Sequence, residues 1–366
     1  MRVLVVGSGA AGSWVGGHLA AGGADVTMVA RGETETALRR DGLTLVEPGR
    51  TTRLMPAVEP SLAAALQSAE KAEEPFDVVL VAVKSYHTED VGRELAAAAS
   101  QGLIRHIVSV QNGVGNEETL ADLAPDVPIH PWIVTTAIYT GPTGTITANG
   151  KGGVGLGPAH ELATGPDGTA AAEEVRAELL ELLRRGGLEA VEFDHGPALK
   201  WSKLLLNELG SATTAILGWT PERVFTDRRL FEIERAAWLE ALAVMRAAGM
   251  QPVALPGYRV PLMALAASVL PTGPAHALLA RPLAGGRGDR LPGTAADMAA
   301  GSARTEVEVL AGAVAAAGEK LGVATPVNRV LADLAAGIAS GAIAREEYAG
   351  RPEALLAAVR QGGAAP

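Results

Sequence analysis

The feature that most constrains this chain is Gly7-Ser8-Gly9-Ala10-Ala11-Gly12, which follows the apolar run Val3–Val6 and opens a helical pattern extending to Ala21. The first glycine of such a G-x-G-x-x-G run permits a tight turn. The second lets backbone approach a bound group closely, and the third lets helix and strand pack at short range. The start of the helix adds unpaired N–H groups and the positive end of the helix dipole. Strand, glycine turn and helix in this order predict a βαβ unit shaped to receive a pyrophosphate.

The rest of the first half continues the alternation. Strand candidates are Val26–Val29, Val78–Val83, Ile107–Val110, Ile133–Ile138 and Gly144–Thr147, and 149–157 reads as a closing strand and turn. Helical patterns fall at Glu35–Asp41, Ser61–Glu70, Thr88–Ala99 and Glu117–Leu123. Alternating strands and helices imply a mainly parallel sheet wound on both faces, a Rossmann-type α/β domain. The segment His160–Thr169 reads as a surface loop. From Ala198 onward the pattern is almost wholly helical, with helices expected at Pro197–Leu217, Arg228–Ala248, Val260–Ser268, Ala303–Leu321 and Thr325–Ile338. Arg281–Pro292 reads as a Gly/Pro/charge-rich connector. The expected division is residues 1–195 as the α/β N-terminal domain and 196–366 as an all-α C-terminal domain.

Charge and composition narrow the ligands. Lysine and arginine number 31 against 41 acidic residues, a formal charge of −10, so neither nucleic acid nor an anionic membrane surface is an expected partner. Any anionic ligand has to meet locally placed cations. The absence of cysteine removes disulfides, thiolate catalysis and Cys-based metal sites. The seven histidines form no HExxH or HxxxH pair, so no metal is expected. Met1 leads directly into a strand, and apolar stretches such as Leu262–Leu270 are far too short to span a bilayer. The resulting expectation is a soluble cytoplasmic protein.

Cations do occur where open α/β sheets bind ligands. At the end of the second strand, an NAD site would place an acid on the ribose hydroxyls, but this chain has Val29-Ala30-Arg31-Gly32. A guanidinium there can grip a 2′-phosphate, which favours NADPH; an ordinary solvated arginine is the plain alternative. Lys84 follows the Val78–Val83 run, and Asn112 sits where the Ile107–Val110 strand enters a tight turn. Each could be a simple turn or surface residue. Both belong to the sheet edge that carries the glycine turn.

In the helical half, Lys203, Asn207, Ser211 and Thr214 are separated by four, four and three residues, which places them within one narrow face of a helix. Their neighbours are leucine-rich. A polar stripe in that setting faces a ligand or bonds to a neighbouring helix, and periodicity alone leaves both open. Glu306 opens a second helical pattern and shares its face with Leu310, Ala313 and Ala317, where a carboxylate also suits a helix start.

Taken together, Gly7–Gly12, Val29-Ala30-Arg31-Gly32, Val83-Lys84, Gln111-Asn112-Gly113, Ala148-Asn149-Gly150, Trp201-Ser202-Lys203-Leu204 with Asn207, and Thr305-Glu306 resemble the ketopantoate reductase (2-dehydropantoate 2-reductase) family in order and spacing, from Met1 to about Ile338. The resemblance implies hydride transfer from NADPH to the carbonyl carbon of a 2-oxo acid. It implies cofactor contacts from Gly7, Ser8, Gly9, Ala10, Ala11, Gly12, Arg31, Lys84 and Asn112. It makes Lys203 the general acid, Glu306 a second catalytic residue, and Asn112 and Asn207 substrate ligands. Two positions depart from the pattern. The family's second asparagine, followed by proline, is Ser211-Ala212 here, and its substrate-binding serine is replaced around Gly293 and Thr294. Ser211 and Thr294 are accordingly the remaining substrate-binding candidates. A site that changes such groups changes its discrimination. Reduction of a different ketone or imine is therefore one alternative, and a non-catalytic NADPH-binding protein is another. The apolar faces of the helical half would serve a homodimer or the core equally well.

Overall fold

Along β1 (Arg2–Val6), Val3 and Val5 enter one apolar cluster while Leu4 and Val6 enter another, and all four are buried. Successive strand side chains point to opposite faces, so such a run requires cover on both. The computed structural model, which describes residues 1–142, 144–159, 166–285, 293–299 and 301–363, supplies that cover. After β1 come α1 (Ala10–Ala21), β2 (Asp25–Val29), α2 (Gly32–Asp41), β3 (Leu43–Glu47), β4 (Arg50–Leu54), β5 (Ala57–Glu59) and α3 (Leu62–Ala72). The chain continues through β6 (Phe76–Val81), α4 (Thr88–Ser100), β7 (Ile104–Ser109), α5 (Asn116–Leu123), β8 (Ile129–Val134), β9 (Ile138–Thr140), β10 (Thr145–Ala148), β11 (Val154–Leu156), α6 (Pro166–Arg185) and β12 (Ala190–Glu192).

Eight strands form the main sheet in the order β5-β2-β1-β6-β7-β8-β11-β12. The six from β5 to β8 are parallel; β11 runs antiparallel to β8, and β12 parallel to β11. The chain moves outward from β1 and then crosses back to β6, so strand order reverses between these two neighbours. At such a reversal the loops diverge to opposite faces and leave a crevice at the carboxyl ends of the strands. A smaller sheet, β4-β3-β10-β9, was not anticipated as a unit. The second strand of its β3–β4 hairpin, Arg-Thr-Thr-Arg-Leu, is polar and largely exposed, so it carries almost no hydrophobic signal.

The remaining elements are helical: α7 (Gly196–Glu208), α8 (Ser211–Leu217), α9 (Pro221–Thr226), α10 (Arg228–Ala247), α11 (Val260–Val269), α12 (Thr272–Gly285), α13 (Gly293–Ala299), α14 (Ala311–Leu321), α15 (Pro326–Ser340) and α16 (Pro352–Gln361). Their core gathers Ile216, Leu230, Ile233, Val307, Leu331 and Leu355. The chain forms two compact units. One comprises Met1–Gln111, Gly115–Lys200 and Leu255–Tyr258; the other comprises Asn112–Val114, Trp201–Ala254 and Arg259–Pro366. Among the described residues no helix is long and apolar enough to cross a membrane.

Four local expectations are corrected. The expected single helix Pro197–Leu217 is two, because Gly210 adopts φ +72° between α7 and α8. Lys203 and Asn207 therefore lie on one helix, Ser211 and Thr214 on the next, and no continuous stripe exists. The expected helix from Ala303 begins only at Ala311, after a 3-10 turn at Glu306–Val309 and a break at Leu310. Glu306 thus does not share a face of α14. The expected loop His160–Thr169 is already helical from Pro166, and its residues 160–165 lie outside the described residues. The expected connector from Arg281 continues α12 as far as Gly285, with 286–292 outside the described residues.

The break at Gly210 leaves an electrostatic trace. Glu234 accepts a hydrogen bond from the Gly210 N–H at 2.6 Å, and Glu240 accepts from the N–H groups of Val327 and Asn328, both at 2.9 Å. Glu208, the last residue of α7, is buried with neither carboxyl oxygen hydrogen-bonded. Burial first, and then the charges of Glu234 and Glu240, raise its pKa well above the usual carboxylate value. A carboxyl raised in the folded state carries no penalty below its unfolded pKa. The fold then loses stability as pH rises from there to the folded value, by about 1.4 kcal/mol per pH unit. Glu208→Gln is expected to match wild type in urea unfolding near pH 4 and to gain on it progressively toward neutrality. Parallel stability curves for the two proteins would show that Glu208 does not titrate as its burial demands.

Candidate active site

The glycine turn is built from two close contacts and one opening. Gly7 has φ +108°, and a Cβ there would sit 2.7 Å from the Ala82 carbonyl carbon; a Cβ on Gly12 would sit 2.1 Å from the Gly7 carbonyl oxygen. Neither position admits a side chain. A Cβ at Gly9 would meet nothing within 4 Å, so this residue presents bare backbone to open space at the start of α1. The Ser8 hydroxyl donates to the Val29 carbonyl at 2.6 Å and ties the turn to the end of β2. Ala10 and Ala11 begin α1, whose first turn contains no acidic residue.

Gly7, Ser8, Val29, Ala30, Arg31, Thr34, Val83 and His87 help line a cleft of about 500 Å³ at this end of the sheet. Arg31 is exposed and stands at the N-cap of α2. Asp90 and Glu94 of α4 contribute acids to the same cleft, and Asp90 already faces Arg93 at 3.5 Å. Bare backbone at Gly9 and an acid-free helix start are what the pyrophosphate of a dinucleotide requires, and a guanidinium stands at the end of β2 beside them. Among the described residues no group of three or more His, Cys, Asp or Glu side chains is arranged to hold a metal ion.

Lys84 is half-buried at the N-cap of the short 3-10 turn Ser85–His87. The adjacent backbone is held by a network that sequence reasoning did not identify. The Gln111 side-chain amide donates to the Val83 carbonyl at 3.1 Å and to the Thr88 hydroxyl at 2.7 Å, and Thr88 donates to Asn116 at 2.9 Å. The Gln111 carbonyl accepts from Lys200 Nζ at 2.6 Å. Lys200 also pairs with Glu117 at 2.8 Å, and both side chains are almost fully buried. The available signal was a lysine inside Ala198-Leu199-Lys200-Trp201, an otherwise apolar stretch.

In the helical unit, Asn207 Nδ2 donates to Asn112 Oδ1 at 2.8 Å. The turn carrying Asn112 packs on the turn that Glu306 opens. Val114 N–H donates to the Val309 carbonyl at 3.3 Å, and a Cβ on Gly113 would lie 2.3 Å from that same oxygen. Asn112, Asn207 and the Glu306–Val309 turn are thus brought together, with Lys203 one helical turn before Asn207. Lys203 is half-buried and Glu306 buried. Ser211 and Thr294 form a separate pair: the Ser211 hydroxyl donates to Thr294 Oγ1 at 2.9 Å, with both residues buried. The Thr214 hydroxyl bonds back to the Gly210 and Ser211 carbonyls.

Two sequence profiles match this chain: "Ketopantoate reductase PanE/ApbA" over residues 3–161 and its C-terminal counterpart over residues 197–339. The chain belongs to the ketopantoate reductase family. A 2-dehydropantoate 2-reductase of Halobacterium salinarum is 30% identical over 91% of this chain and 97% of its own. The enzyme of the same name from Archaeoglobus fulgidus is 30% identical over 93% and 98%. Among solved structures, a PanE/ApbA family ketopantoate reductase from Ralstonia eutropha superposes with a TM-score of 0.72 at 25% identity, covering 93% of this chain and 99% of that one. D-mandelate dehydrogenase bound to NADH and anilino(oxo)acetate shares the fold, with a TM-score of 0.70 at 18% identity and coverage of 93% and 99%.

Within this ketopantoate reductase family member, the Ser211 and Thr294 hydroxyls bond to each other. Ser211→Ala would leave Thr294 buried without this donor, an expected loss of about 1–3 kcal/mol in urea unfolding. A loss too small to measure would mean that the pair contributes nothing to holding α8 against α13.

Proposed function

We propose that this chain reduces the keto group of a 2-oxo acid to a 2-hydroxy acid with NADPH, and that its substrate is 2-dehydropantoate. The observation that carries this reading is the 30% identity to archaeal 2-dehydropantoate 2-reductases, which extends through both compact units.

NADPH, when bound, supplies the hydride that reaches the carbonyl carbon. Gly7, Ser8, Gly9, Ala10, Ala11 and Gly12 hold its pyrophosphate by backbone N–H groups. Arg31 pairs with its 2′-phosphate, and Lys84 and Asn112 belong to the same binding set. Lys203 donates a proton to the substrate oxygen as negative charge develops there, so carbonyl, hydride and proton together give the alcohol. A lysine suits the task because its ammonium also attracts the substrate carboxylate. Asn207 and Asn112, already bonded side chain to side chain, present amide groups for the substrate's polar atoms. Glu306 orients the substrate from its 3-10 turn.

The Ser211–Thr294 bond favours one second reading, reduction of a different ketone or imine. Two hydroxyls engaged with each other are poor ligands for a hydroxylated substrate, and unmatched polar groups shift discrimination strongly.

NADPH oxidation with ketopantoate tests the first reading directly. Turnover is expected in wild type, and Lys203→Ala should lower kcat by about 10²–10⁴-fold. Wild type that consumes NADPH with other carbonyls but not with ketopantoate would establish the second reading. Tight NADPH binding without oxidation by any carbonyl would mean a binding protein without turnover. Arg31→Ala is expected to raise the KM for NADPH by about tenfold or more while leaving that for NADH nearly unchanged. Equal effects on the two cofactors would remove Arg31 from the 2′-phosphate.

A further inference from the structure

Lys200 is an expensive residue to keep where it is. Its side chain is only 4% exposed, and taking an ammonium out of water is unfavourable unless partners replace the hydration. Two partners do so: the Glu117 carboxylate at 2.8 Å, itself 6% exposed, and the Gln111 carbonyl at 2.6 Å. The same Gln111 sends its side-chain amide to the Val83 carbonyl and the Thr88 hydroxyl. One ammonium therefore fixes the residue joined to Asn112, and that residue fixes the one joined to Lys84. Along α7, Lys200 precedes Lys203 by three residues and Asn207 by seven, so all three share one face of the helix. Asn207 bonds to Asn112, the next residue after Gln111. Two consecutive residues of a turn are thus held from the same helix face, with Lys203 between the two anchors.

We infer that Lys200, through its ion pair with Glu117, is a positioning residue that fixes the Gln111–Asn112 turn and the register of Lys203 on α7. The inference rests on the reductase reading above for its kinetic consequences, but not for its structural ones. Lys200 touches neither substrate nor cofactor in this account. Its effect is geometric: a displacement of about 1 Å in a reacting constellation can cost about 10²-fold in rate. A buried ion pair is poor evidence of stability, because apolar replacements of similar volume often stabilise a fold equally well. Positional specificity explains why a charge is found there.

The test removes the pair without leaving an orphan charge. Lys200→Met/Glu117→Gln deletes both charges and keeps the volumes similar. Near wild-type thermal stability is expected, with kcat lowered at least tenfold. Hydrogen–deuterium exchange should rise at the amides of Asn112–Asn116 and remain unchanged in β1 and α1. A folded double variant with wild-type kcat and unchanged exchange would overturn the proposal. Lys200→Met alone should unfold more easily, because Glu117 is left buried and unpaired, and Glu117→Gln added to it should restore the melting temperature but not kcat. Recovery of both would mean that the pair is merely structural. Combined with Asn207→Ala, the double variant should lose less in kcat than the product of the separate effects, because both changes release the same turn; independent, multiplicative losses would also overturn it. If wild type proves inactive with every carbonyl, the reductase reading fails on its own, and the exchange measurement alone decides whether Lys200 anchors the turn.

Discussion

The contact between α1 and the strands beneath it leaves no space for a side chain at Gly7 or Gly12. The position a Gly12 Cβ would take is 2.1 Å from the Gly7 carbonyl oxygen and 2.9 Å from the Ala82 Cβ. Only backbone against backbone lets the helix start this close to β1 and β6, the pair between which strand order reverses. The cleft follows from that proximity. Were α1 pushed outward by a methyl group, the Gly7–Ser8 backbone that lines the cleft would move with it, and the Ser8–Val29 bond would lose its register. Overfilling a packed contact costs about 1–3 kcal/mol, but here the greater loss is positional.

Buried charge works differently in the two units. Lys200 and Glu117 neutralise each other in the α/β unit and hold a carbonyl in place. In the helical unit the charges of Glu234 and Glu240 act on the buried Glu208. Glu234 and Glu240 accept backbone N–H groups, while burial raises the Glu208 pKa well above the usual carboxylate value. The first arrangement fixes geometry. The second makes the end of α7, one residue after Asn207, sensitive to pH.

The sequence was legible where local chemistry decides the structure. Strand, glycine turn and helix are encoded within about twenty residues, and the continuous valine runs mark strands covered on both faces. Family membership was readable for the same reason, since the spacing of its motifs along the chain carries it. Three things were not. The break at Gly210 looks like one tolerable glycine in a helix, because nothing local reveals that Glu234, 24 residues later, accepts its N–H. The 3-10 turn at Glu306 packs through Val309 against Asn112–Val114, almost two hundred residues earlier in the chain. The Lys200–Glu117 pair spans 83 residues, and two charges that distant give no signal of mutual burial. Each case depends on non-local partners, which helical periodicity does not record.

The net charge of −10 seems ill-suited to anionic ligands, yet total charge is the wrong scale. At physiological ionic strength exposed charges are screened beyond about 8 Å, so a phosphate or carboxylate responds mainly to its immediate neighbours. In the cleft those neighbours are Arg31 against Asp90 and Glu94, with Asp90 already facing Arg93. The guanidinium is therefore only partly offset where a 2′-phosphate would meet it. Lys200 is withdrawn from this balance altogether, its charge answered by Glu117 out of contact with water. That leaves Lys203 as the half-buried cation of α7 on the substrate side of the proposed mechanism. Glu117 offsets the burial of Lys200, and the ammonium it engages is spent on holding the Gln111 carbonyl rather than on attracting a ligand.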